Sequence, residues 1–372
     1  MGIEETERVE TVIVGGGQAG LATGYFLKQH GRPAVILDAH ARIGDAWRTR
    51  WDSLRLFTTA GYSGLPGFRF PAPRWSFPTK DEMADYLEEY ASRFDLDVRT
   101  GTHVVSLAKR GDRFEVTTAT GRFESDNVVV ATGANRIPRT PSFANELDPS
   151  IVQLHSAEYL RPSQLRDGGV LLVGAGNSGA DIALEVVREH DTWLAGTDVG
   201  HIPVRIERSG KYVFVLIRFF GHHVLTLGNP VGRRAIRKVR SKADPLIRVK
   251  PKDLADAGVE RVARVVGVRD GLPVLEDGRT LRVTNVIWCT GFRREFSWID
   301  LPILDEDGEP VHERGVVPSE PGLYFVGLPF QYSKSSDVLP GIGRDHAYVA
   351  KQISSRDRTT GAAAEIASSA VA

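Results

Sequence analysis

The chain has 372 residues, with 47 Lys and Arg balancing 47 Asp and Glu, and is 41% hydrophobic against 25% charged. Zero net charge gives no overall electrostatic footprint for nucleic acid, an anionic membrane or a polyanionic substrate, and the composition excludes a disordered chain. The length suits two domains, because single cores usually stop growing before ~300 residues. Cys289 is the only cysteine, which excludes an intrachain disulfide, a CxxC redox pair and a cysteine metal cluster, so no metal is expected. A reducing compartment fits best. No stretch approaches the ~20 apolar residues of a membrane span, and MGIEETERVE is acidic where a signal peptide needs a basic start, so a cytoplasmic protein is expected.

The first strong signal is the β-branched run from Glu10 to Val14, followed by Gly15-Gly16-Gly17-Gln18-Ala19-Gly20 and the helical pattern LATGYFLKQH. Ala34-Val35-Ile36-Leu37-Asp38 is the next strand, which completes a βαβ unit. Gly15 makes the tight turn, Gly17 lets backbone approach a pyrophosphate, and Gly20 allows close helix–strand packing while the helix N-terminus, with Gln18 and Ala19, faces the anion. Asp38, 23 residues beyond Gly15, is placed to hold a ribose hydroxyl pair. The strand Asn127–Val130 then runs into Ala131-Thr132-Gly133, a small-residue turn where backbone can approach a cofactor closely. The Pro-containing stretch from Pro138 to Pro162 reads as a linker.

The βαβ pattern recurs: Gly169–Val173 leads into Gly174-Ala175-Gly176-Asn177-Ser178-Gly179 and the helix ADIALEVVREH, a second dinucleotide site. Counting from Gly174 puts Thr197 where Asp38 stood, with Arg205, Arg208 and Lys211 beyond it. An acid there would repel a ribose 2′-phosphate, whereas a neutral residue with arginine nearby accepts one, so NADPH is favoured over NADH. Residues 211–220 form a strongly apolar run, and Arg233, Arg234, Arg237, Lys238, Arg240 and Lys242 come next as a basic cluster. A substrate channel or subunit contact is the first expectation for this region, ahead of a solvated helix beside an ordinary core segment and of membrane adhesion. Asn285–Gly291 repeats the strand ending in a small-residue turn, Gly322–Gly327 is another strand ending in glycine, and Gly341-Ile342-Gly343-Arg344 opens a last helix. The Ala/Ser/Thr-rich tail beyond about Arg356 is expected to fray.

Two GxGxxG turns, two strands ending in [AC]TG and a final YFVG strand resemble the flavin-containing monooxygenases and their bacterial relatives over nearly the whole chain. The resemblance implies an α/β fold of two nested Rossmann-like dinucleotide-binding domains. One is an FAD domain built from residues 1–160 and 285–372, and the other an NAD(P)H domain, 161–284, inserted in it. It implies FAD contacts for Gly15, Gly17, Gly20 and Asp38, with Thr132, Gly133, Gly291 and Gly327 at the strand ends. NADPH, or NADH in its place, would contact Gly174, Gly176, Asn177, Ser178 and Gly179, with Thr197 and Arg205 toward the ribose. The family linker, FxGxxxHxxx and an aromatic, is kept in part: His155 and Tyr159 stand at the expected spacing, but Pro149 and Ile151 replace the phenylalanine and glycine. Tyr159 also argues against a Baeyer–Villiger enzyme, whose linker usually has tryptophan there. Ile43-Gly44-Asp45-Ala46-Trp47 is close to the family's GGxW and precedes the Trp51–Thr59 stretch, which the family places beside the flavin ring. Trp47 is thus a cofactor residue, and Thr58 and Thr59 are the catalytic candidates. An asparagine often stands about where Thr59 is, and a threonine lacks the amide's second hydrogen-bonding group.

The implied activity is reduction of FAD by NADPH, reaction with oxygen, and oxygenation of a small nucleophilic substrate at nitrogen or sulfur by a flavin hydroperoxide. Cofactors carry such chemistry, so the lack of a Ser-His-Asp or paired-carboxylate constellation is consistent with it. An NAD(P)H oxidase or flavin-linked reductase without oxygen insertion is one alternative, and a flavin-binding redox sensor without turnover is another. The expected partners are a small-molecule substrate and molecular oxygen, with a homodimer as the assembly and with no nucleic acid or transmembrane segment.

Overall fold

The computed structural model describes residues 6–133, 137–205, 211–240 and 244–369. The β-branched C-terminal half of β1 (Thr6–Val14) is buried because it lies mid-sheet. It pairs in parallel with β2 (Ala34–Leu37) on one side and β6 (Arg122–Val130) on the other. The crossover helix α1 (Gln18–Gln29) lies close to this sheet because glycines face it: a Cβ at Gly20 would sit 3.3 Å from the Ile13 side chain, and one at Gly24 2.8 Å from Ile36. After β2 the chain makes an excursion through the short α2 (Asp45–Arg48) and then α3 (Lys80–Arg93), whose start is fixed by a reciprocal capping box between Thr79 and Glu82. Tyr86 and Tyr90 of α3 are buried and pin the intervening loop. The Tyr86 hydroxyl accepts from the Leu65 amide (2.6 Å) and donates to the Phe68 carbonyl (2.7 Å), and Tyr90 donates to the Pro66 carbonyl (2.7 Å). β3 (Asp97–Arg99) adds outside β2, while β4 (Val104–Arg110) and β5 (Arg113–Thr118) form an antiparallel extension onto the first half of β6.

The chain leaves this sheet through the short β7 (Ile137–Pro138) and builds a second, all-parallel sheet. Its strands are β8 (Val152–His155), β9 (Val170–Val173), β10 (Thr192–Ala195), β11 (Glu260–Val262) and β14 (Asn285–Trp288), in the order β11-β10-β9-β14-β8. Helix α4 (Asn177–Val186) is the crossover from β9 to β10. Helices α5 (Lys211–Phe219), α6 (Pro230–Arg240) and α7 (Pro251–Asp256) fill the connection from β10 to β11, and β12 (Val265–Arg269) and β13 (Leu272–Leu275) form a hairpin. All four residues of β9 and of β14 are buried, as central strands covered on both faces require. β15 (Phe292–Arg293) returns antiparallel to β7, and β16 (Leu323–Phe325) pairs with Val128–Val130, the half of β6 that β5 leaves free. The last helix, α8 (Ile342–Ser369), packs against α1.

The structure corrects two of the sequence expectations. Val152–His155 and Asn285–Trp288 both pair within the second sheet, so the bounds 161–284 for the inserted unit are too narrow by one strand at either end. The tail beyond Arg356 continues α8 to Ser369, because an alanine-rich stretch carries high helix propensity.

Candidate active site at the two glycine turns

The two sheets present the same turn at the same place. Gly15 has φ +113° and Gly174 φ +116°, and their amides donate to Leu37 and Ala195 carbonyls at 2.8 Å in each case. A Cβ at Gly20 would sit 1.9 Å from the Gly15 carbonyl oxygen, and one at Gly179 1.9 Å from that of Gly174. Both third glycines are therefore demanded by packing. A Cβ at Gly17 or at Gly176 would meet nothing within 4 Å, so the middle glycine of each turn faces open space at a helix N-terminus, where a pyrophosphate is favoured.

Asp38 comes directly after β2 and turns back onto the first turn. Its Oδ2 accepts from the Gly16 amide (2.6 Å), and its Oδ1 accepts from the His40 amide (2.8 Å) and lies 2.8 Å from His40 Nδ1. Burial pushes the Asp38 carboxyl up, but the hydrogen bonds from His40 and Gly16 outweigh it and hold the pKa below the ordinary value. The hydrogen bond to Asp38 raises His40 in turn. Carboxylate lone pairs remain for a ribose diol.

At the second turn the residue after the strand is Gly196, and a Cβ there would lie 2.8 Å from the Ala175 amide nitrogen, where Asp38 meets Gly16. Gly196 is thus the counterpart of Asp38, and Thr197 is an exposed residue one place beyond. Helix α4 is two residues shorter than α1 and the connection after it one residue longer, so the second strand ends one residue earlier in this unit, which displaces the count. Arg205 is not open to a phosphate: its guanidinium is paired with Asp253 of α7. Arg208 lies outside the described residues, as does the Lys211 side chain. Asn177 is occupied in stapling a later segment, donating to the Pro245 carbonyl (3.1 Å) and accepting from the Ile247 amide (3.0 Å). Ser178 stands in the first turn of α4 beside the open Gly176. The cation brought to this place is Arg261 of β11, whose Nη2 donates to the Gly196 carbonyl (3.0 Å). Sequence reading missed it because strand pairing, not proximity in the chain, carries it there.

On the first sheet, Trp47 Nε1 reaches Gln18 Oε1 (3.4 Å), and a Cβ at Gly327 would lie 3.5 Å from the Ala19 Cβ, so the GGxW-like block and the end of β16 both converge on the first turn. Thr132 and Gly133 extend from β6 next to that turn, with the Ala131 carbonyl against Gly15. Thr58 Oγ1 is engaged with Ser63 Oγ (2.9 Å), while Thr59 is fully buried with its Oγ1 lacking a hydrogen-bond partner. Trp51 Nε1 is among the other buried polar atoms without a hydrogen-bond partner, whereas Arg314 Nε and Arg344 Nε each stand 3.7 Å from Asp345 Oδ1 as ion pairs at the start of α8. Native folds seldom leave buried polar atoms unpartnered, so Thr59 Oγ1 and Trp51 Nε1, with the open Gly17, fit a bound polar group such as FAD. The linker histidine is structural: His155 Nδ1 accepts from the Ala157 amide (3.1 Å), which leaves Nε2 to donate to the Gly291 carbonyl (3.0 Å). Burial lowers its pKa, in keeping with this neutral tautomer. Gly291 thereby serves the hinge between the sheets through its carbonyl, which also accepts from the Arg139 amide (2.9 Å).

Residues 12–195 match the family model described as pyridine nucleotide-disulphide oxidoreductase. A CzcO-like oxidoreductase of Geobacillus kaustophilus is 40% identical over 93% of this chain and 98% of its own length. The indole-3-pyruvate monooxygenase YUCCA8 of Oryza sativa is 28% identical over 96% of this chain and 94% of its own. Among solved structures, a flavin-containing monooxygenase from Stenotrophomonas maltophilia superposes with a TM-score of 0.74 and 28% identity, covering 94% of this chain and 99% of that one. The chain belongs to the flavin-containing monooxygenase-like family, and it is an FAD-dependent oxidoreductase of α/β fold with Rossmann-like nucleotide-binding units. Among the described residues no helix is long and apolar enough to cross a membrane.

Proposed function

We propose that the first turn holds FAD, that the second holds NADPH, and that the protein is a monooxygenase acting on a small substrate at nitrogen or sulfur. When bound, FAD supplies the hydride-accepting and oxygen-activating chemistry. The chain's residues orient it: Gly17 and the α1 N-terminus take the pyrophosphate, Asp38 the ribose, and Thr59 offers a hydroxyl with no other partner. NADPH is preferred to NADH because Gly196 removes the carboxylate from the ribose position and Arg261 stands beside it.

One observation carries the choice of oxygen over a disulfide as the acceptor. The only thiol, Cys289, packs under the second turn, and burial pushes its pKa up to about 12, so it stays protonated, unreactive and without a second cysteine to relay electrons. A second reading, a 2-oxo acid as substrate, draws on Arg314 and Arg344, both paired with the single Asp345, and on Arg218, which with Arg344 neighbours His222; indole-3-pyruvate is its first test compound.

Stopped-flow absorbance tests the activity. The FAD-loaded protein is reduced with NADPH and mixed with oxygenated buffer, and a transient distinct from reduced and oxidised flavin is the expected result. Immediate reoxidation with one peroxide released per NADPH, unchanged by amines, thioethers or indole-3-pyruvate, would move the protein to the oxidases.

A further inference from the structure

Helix α5 continues into a π-helical turn, Phe220–Val224, and two polar residues tie this stretch to the body of the protein. The Arg218 guanidinium lies 5.1 Å from the centre of the Tyr62 ring, His222 Nδ1 is 2.9 Å from Ser335 Oγ, and the His222 carbonyl accepts from Arg344 Nη1 at 2.6 Å. Tyr212, Val215, Leu216, Phe219 and Phe220, spaced i, i+3, i+4, i+7 and i+8, form one stripe, which Arg218 and His222 border at i+3 from Val215 and Phe219. These side chains are 87%, 39%, 55%, 51% and 49% exposed. Ile217 and Val231 are exposed in the same segment, whereas the other large exposed hydrophobics of the described residues are five scattered positions. A contiguous apolar surface of this kind marks an interaction site.

Charge identifies the partner. From Lys211 to Lys242 the sequence holds eight Lys and Arg and no Asp or Glu, in a chain of zero net charge. Arg233 and Arg234 of α6 are exposed. A second copy meeting this face about a two-fold axis would oppose one such segment with another, which like charges disfavour. An apolar stripe on a short helix bordered by lysine and arginine suits the boundary of acyl chains and anionic headgroups.

We propose that α5 and α6 form a peripheral docking surface for an anionic lipid membrane, with the α5 stripe in the headgroup–acyl boundary and the basic α6 on the lipid phosphates. The docking itself does not depend on the proposed activity.

Co-sedimentation of the FAD-loaded full chain with vesicles tests it, using phosphatidylglycerol mixed with phosphatidylcholine against phosphatidylcholine alone. Binding to the mixed vesicles, weakened by salt and at least about tenfold poorer on phosphatidylcholine, is the expected result. The pair Leu216→Ser and Phe219→Ser should weaken binding more than about tenfold, and Arg233→Gln with Arg234→Gln about 30-fold, both with unchanged flavin content. No sedimentation with the mixed vesicles, or equal binding by both variants, overturns the proposal. So does a wild-type dimer that the apolar pair converts to monomer without any vesicle binding, which would assign the face to a second copy.

Discussion

The two glycine turns share a backbone and differ in the residue placed just beyond the second strand. At the first, the residue after β2 is Asp38, whose carboxylate bonds the Gly16 amide at 2.6 Å; at the second, the residue after β10 is Gly196, and the matching Ala175 amide meets no carboxylate there. Backbone and packing are shared by the two turns, and on the proposed reading the nucleotide is selected by the residue beyond the strand and by the side chain that the neighbouring strand brings to it. Arg261 on β11 does at the second turn what no side chain of that turn does.

The sharpest way to break the comparison is to destroy one turn at a time. Gly20→Ala would force a Cβ to 1.9 Å from a carbonyl oxygen and should destabilise the protein by about 3 kcal/mol or more, with loss of FAD. Gly179→Ala makes the same clash in the other sheet and should leave flavin bound while abolishing its reduction by NADPH. Flavin absorbance after gel filtration and single-turnover reduction measure the two outcomes. If Gly179→Ala lost its flavin as well as its reduction by NADPH, the turns would not be separable.

Removing selectivity should cost less than removing the turn. Asp38→Ala leaves the Gly16 and His40 amides without their acceptor and should weaken FAD binding by about 10- to 100-fold, read by fluorescence titration of the apoprotein. Arg261→Gln should raise KM for NADPH about tenfold and leave KM for NADH and the flavin content alone. Equal effects on the two coenzymes would mean that Arg261 only braces the Gly196 carbonyl.

How far the sequence discloses this arrangement depends on the range of the interaction. Each glycine turn is legible because its strand, helix and packing glycine lie within about 20 residues, and the periodicity of α1 and α4 is read directly from the chain. Asp38 is legible for the same reason, but Thr197 is not its counterpart, since a fixed count cannot see that helix and connection together are one residue shorter in the second unit. Arg261 stands 65 residues from Gly196 in the chain and next to it only because β11 pairs with β10. The boundary of the inserted unit was hidden likewise, because β8 and β14 pair in parallel with partners that no local signal names. In α5 the apolar period is plain in the sequence, yet the usual inference that such a stripe is buried fails, because Tyr212, Leu216 and Phe219 are all more than half exposed.

The smallest effect concerns the hinge that joins the two turns. His155 holds Gly291 through Nε2 and receives the Ala157 amide on Nδ1, an arrangement open only to the neutral ring. Burial lowers its pKa from the ordinary 6.5, so the stabilisation is fully present above about pH 6.5 and is lost as pH falls through the lowered folded value, where protonation of Nδ1 removes the acceptor. Between pH 7 and 5 the wild-type melting temperature should therefore fall a few degrees further than that of His155→Gln, which has no ring to protonate. NADPH reduction should slow over the same interval only in the wild type, since the hinge orients the second turn against the first. A variant whose melting curve tracked the wild type at every pH would leave the acid sensitivity to other groups and reduce His155 to a packing residue.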